Sequence, residues 1–65
     1  MSEREMQIFV IAILYAKSDN DSNPDVGMAP SLESVAKQVA LRLSFRVPEE
    51  AIAEAVGRVE RRLAK

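Results

Sequence analysis

Ile8-Phe9-Val10-Ile11-Ala12-Ile13-Leu14-Tyr15-Ala16 runs for nine residues without a charge, in a chain of 65. How this stretch folds decides the rest. In a helix each residue turns by about 100°, so its apolar side chains point all round the axis. Such a helix must be covered all round. A strand competes, because the β-branched residues lower helix propensity. The run does not alternate, however, and it is long for a strand, so a helix is predicted.

Ser2 and Glu5 fit a capping box that starts this helix. It is expected over about 3–18, roughly 22 Å at 1.5 Å per residue. Met6, Phe9, Val10 and Ile13 form one stripe along it, and Ile8, Ile11 and Tyr15 form another on the far side. The first stripe is expected to face the chain's own core. The second either meets another chain or is covered by a helix of the same chain, with the first helix sandwiched between the other two.

Residues 19–30 collect Asp19, Asn20, Asp21, Ser22, Asn23, Pro24, Asp25, Gly27 and Pro30, and are expected to form a long loop. Ser31 is a good N-cap for a second helix over about 31–43, with Glu33 in its first turn. Leu32, Val35, Ala36, Val39 and Leu43 line one face of it. Ser44-Phe45-Arg46-Val47 breaks the pattern. Pro48 reads as the first residue of a third helix over about 48–64, with Glu49 and Glu50 at its positive end. Ile52, Val56, Val59 and Leu63 make its stripe, and Arg58, Arg61, Arg62 and Lys65 load its C-terminal turns.

The expected fold is therefore all-α, a single compact three-helix domain over 1–65 with a hydrophobic central first helix, working as a dimer. A domain this small buries only roughly 60% of its unfolded surface. It has neither Cys nor His, so disulfides and the usual zinc ligand sets are ruled out. Association is then the main remaining source of added stability. The absence of Cys also suits a reducing cytoplasm, where the protein is expected to act.

The apolar run is less than half of the about 20 residues a spanning helix needs. The residues before it sum to a negative charge, unlike a signal peptide. No membrane partner is expected. Net charge is −1, which offers no bulk attraction to nucleic acid, although residues 1–30 are net acidic and 31–65 net basic.

The expected interface comprises Ile8, Ile11 and Tyr15, joined by Leu41 and Phe45, one turn apart on the outer side of the second helix. Alternatively, that helix ends near Leu43 and Phe45 folds back against the core. Ala53, Gly57 and Ala64 line a small-residue strip on the third helix, read either as ordinary surface or as room for another backbone. Asp19, Asp21 and Asn23 match the first ligand positions of a calcium loop, but Pro24 and Pro30 stand where that loop needs Gly and Glu. No metal or cofactor is expected.

Helix-turn-helix binding of DNA by a dimer is the alternative function, with Arg42, Arg46, Arg58, Arg61, Arg62 and Lys65 as candidate nucleic-acid contacts. Against it, a recognition helix reads bases from its N-terminal residues, here Pro48, Glu49 and Glu50, whose carboxylates would meet phosphate. Catalysis is not expected. The common acid–base and nucleophile sets are absent, and Gly27 and Gly57 are too few for a phosphate loop. The function predicted is a small non-catalytic interaction or regulatory module, acting by homodimerisation or by docking on a helical protein partner.

Overall fold

The computed structural model describes residues 1–22 and 31–64, the side chains of 20–22 excepted. Residues 23–30 of the expected loop, with Asn23 of the calcium-type motif, and Lys65 of the basic set lie outside the described residues. Three helices make up the fold: α1 (Glu3–Ser22), α2 (Leu32–Arg42) and α3 (Glu49–Leu63). There is no strand among the described residues, and each helix packs against both of the others. The domain is compact and all-α. Among the described residues no helix is long and apolar enough to cross a membrane.

The capping box forms at the start of α1. The Ser2 N–H donates to Glu5 Oε1 at 2.9 Å, and the Glu5 N–H donates to Ser2 Oγ at 3.1 Å. At the other end α1 runs to Ser22, four residues beyond the expected end near 18. Asp, Asn and Ser lower helix propensity by only a few tenths of a kcal/mol each, and propagation from an established helix is cooperative. The first residues of the Asx cluster therefore extend α1.

At α2, Ser31 Oγ accepts from the Ser34 N–H at 3.2 Å, as an N-cap does. The helix stops at Arg42, and Leu43 turns extended at φ −77°, ψ 152°. Pro48 keeps the preceding Val47 away from helical geometry. Pro48 itself is the N-cap of α3 rather than its first helical residue, and its carbonyl accepts from the N–H groups of Ala51 and Ile52.

The core is built from Met6, Phe9, Val10 and Ile13 of α1, Val35, Ala36 and Val39 of α2, and Ala51, Ala55 and Val59 of α3. The stripe expected on α1 is buried, and of that expected on α2, Val35, Ala36 and Val39 are buried while Leu32 and Leu43 are only partly so. On α3 the register differs. Its buried line is Ala51–Ala55–Val59; Ile52 and Val56 pack half-buried along one side, and Leu63 is exposed. Small side chains let helix axes approach closely. Ala51, Ala55 and Val59 share one core with Phe9 and Ile13, the largest fully buried residues of α1.

Candidate interaction surface

Ile8, Ile11 and Tyr15 fall within an arc of about 60° on the side of α1 away from Phe9 and Ile13. They stay 45%, 45% and 75% exposed. Arg4, also exposed, continues the same face one turn toward the N-terminus, and Asp19 lies one turn beyond Tyr15. The face is thus apolar in its middle, with a cation at one end and a carboxylate at the other. Beside Tyr15 it opens into a groove of about 430 Å³ between α1 and α2, lined by Ala12, Ala16, Asp19, Val39, Arg42 and Leu43.

Leu41 and Phe45 do not join this face as one helical stripe. Because α2 ends at Arg42, Phe45 sits half-buried in the connector 43–48 and not one turn further along the helix. Leu41, 88% exposed, lies across α2 from its buried residues, and single exposed apolar side chains of this kind are common. Val39 and Leu43 line the groove beside Tyr15. Their positions depend on how α1 crosses α2, which no periodicity within one helix reports.

The basic residues are scattered. Arg42 ends α2 beside the Tyr15 groove, Arg46 is exposed in the connector, and Arg61 and Arg62 are exposed in the last turn of α3. Arg58 is engaged elsewhere. Its Nη1 donates to Glu3 Oε2 at 2.8 Å and its Nη2 to Glu3 Oε1 at 3.2 Å, a bidentate pair between α3 and the start of α1. Nη2 also donates to Glu54 Oε2 at 2.7 Å. These hydrogen bonds, and then the guanidinium charge, hold the Glu3 carboxyl below its ordinary 4.5. The bond to Glu3 in turn binds the Arg58 proton more tightly. Glu49 and Glu50 stay exposed at the N-terminus of α3.

No protein-family model, no curated protein and no solved structure matches the chain.

Proposed function

We propose that this chain is a small, non-catalytic helical interaction module that works in the cytoplasm as a homodimer, through the outer face of α1. The observation that carries this is the exposed set Ile8, Ile11 and Tyr15, three large apolar side chains contiguous on one helix face. Contiguous apolar patches on soluble proteins mark contact sites more often than single exposed residues do. The aromatic side chain offers roughly 150–250 Å², and each partner of a standard interface contributes about 800 Å². The three side chains fall short of that figure alone. The groove beside Tyr15 supplies further apolar lining, in Ala12, Ala16, Val39 and Leu43.

Nucleic acid is the weaker partner. The Arg58 guanidinium is already bound to two carboxylates. The remaining cations lie on three different elements, and the end of α3 that would enter a groove presents Glu49 and Glu50. Non-catalytic action is supported by the composition, which has no His or Cys.

Replacing Ile11 with Glu tests the assignment. An interface residue leaves a helical, cooperatively melting monomer. A structural residue instead leaves an unfolded chain. We expect the folded monomer by circular dichroism and light scattering. Retention of the wild-type oligomeric state by Ile11→Glu would remove the proposal, and so would a helical partner captured in place of the second copy.

A further inference from the structure

On the homodimeric reading above, we infer that the two copies pair antiparallel through α1, with Arg4 of each copy seated on Tyr15 of the other. The outer face of α1 carries Arg4, Ile8, Ile11 and Tyr15, all exposed. Their spacing is four, three, four, which reads the same from either end. A two-fold interface has to be self-complementary, with each residue meeting the counterpart that meets it in return. A two-fold axis passing midway between Ile8 and Ile11 satisfies that condition. It sets Ile8 against Ile11 of the second copy on both sides of the axis. At equal distances further out it sets Arg4 against Tyr15, once at each end.

The chemistry at the ends agrees with this pairing. A guanidinium over a tyrosine ring is attracted by the ring's negative face. Asp19 stands one helical turn past Tyr15 on the same side of α1, within reach of an arginine seated on that ring. Asp19 is already engaged within its own chain, and a carboxylate accepts more than one donor. Parallel pairing of the same face would stack Arg4 on Arg4 and bring Asp19 beside Asp19, two like-charge contacts. Antiparallel pairing also sets the helix dipoles head to tail.

Charge exchange tests the orientation. Arg4→Glu and Asp19→Arg each turn both end contacts from attractive to repulsive in an antiparallel dimer. Each should raise the dimer dissociation constant by about ten-fold. An equimolar mixture of the two variants restores one attractive contact at each end, and its affinity should return to near wild type. Arg4→Glu puts a carboxylate in the first turn of α1, where the helix dipole favours it, so the fold is kept, and circular dichroism checks this for both variants. Sedimentation velocity on each variant and on the mixture gives the readout. If both variants associate as tightly as wild type, or if the mixture is no tighter than either alone, the antiparallel pairing is wrong even though the dimer stands. A wild-type chain that is monomeric instead overturns the homodimeric reading on which the pairing rests.

Discussion

Gly57 sits inside α3, and beyond its own helical turn no atom of the described residues lies within 4 Å of where a Cβ would stand. Glycine in a helix interior costs roughly 0.5–1 kcal/mol against alanine. With the space open, Gly57→Ala should recover that amount. For a domain of this size the melting midpoint should rise by about 4–8 °C per kcal/mol. Calorimetry would show this, and a midpoint that falls would mean another backbone occupies that space. Among the described residues, then, Gly57 does not serve a close helix approach, and the buried small residues of α3 are Ala51 and Ala55 instead. That distinction was not legible in the sequence, because alanine is at home both buried and exposed. Phe9, Ile13, Val35 and Val39 were legible, because size, hydropathy and helical spacing agree at each of them. Leu63 shared the spacing of Ile52 and Val56 but lies in the last turn of α3, where it stays exposed.

The helix starts were more readable than the helix ends. Ser2 with Glu5, and Ser31 with Ser34, form the local hydrogen bonds that their residue types announce. α1 extends past its expected end, because weak Asx preferences do not stop cooperative propagation. The bond between α1 and α3 could not be read from either helix, since Glu3 and Arg58 are 55 residues apart. The ion pair makes a pH-dependent contribution. The native Glu3 carboxyl titrates below 4.5, so its stabilisation is complete above 4.5. It is lost as the pH falls through the lowered native value. Glu3→Gln should therefore be less stable than the parent at neutral pH, and the difference should shrink toward zero in strong acid. Urea midpoints at pH 7 and at roughly pH 2–3, below the carboxylate range, check this. A difference of the same size at both pH values would contradict the ion-pair assignment.

For the whole molecule, ten buried side chains from three helices make one small core. A fold of this size is marginally stable, and an added interface that covers Ile8, Ile11 and Tyr15 would stabilise the folded state by mass action. The exposed far-side stripe of α1 was visible in the sequence, since it follows from helical spacing alone. The groove lined by Val39, Arg42 and Leu43 required the crossing of α1 over α2. Under the proposed function, the exposed face of α1 joins two copies of the chain. Sedimentation equilibrium tests it most directly, at roughly 100 µM, above the dissociation constant expected of a small apolar interface. The predicted result is a mass of twice the 7.2 kDa chain, reverting to one chain in Ile11→Glu. A mass of one chain for the unaltered protein at that concentration would contradict it.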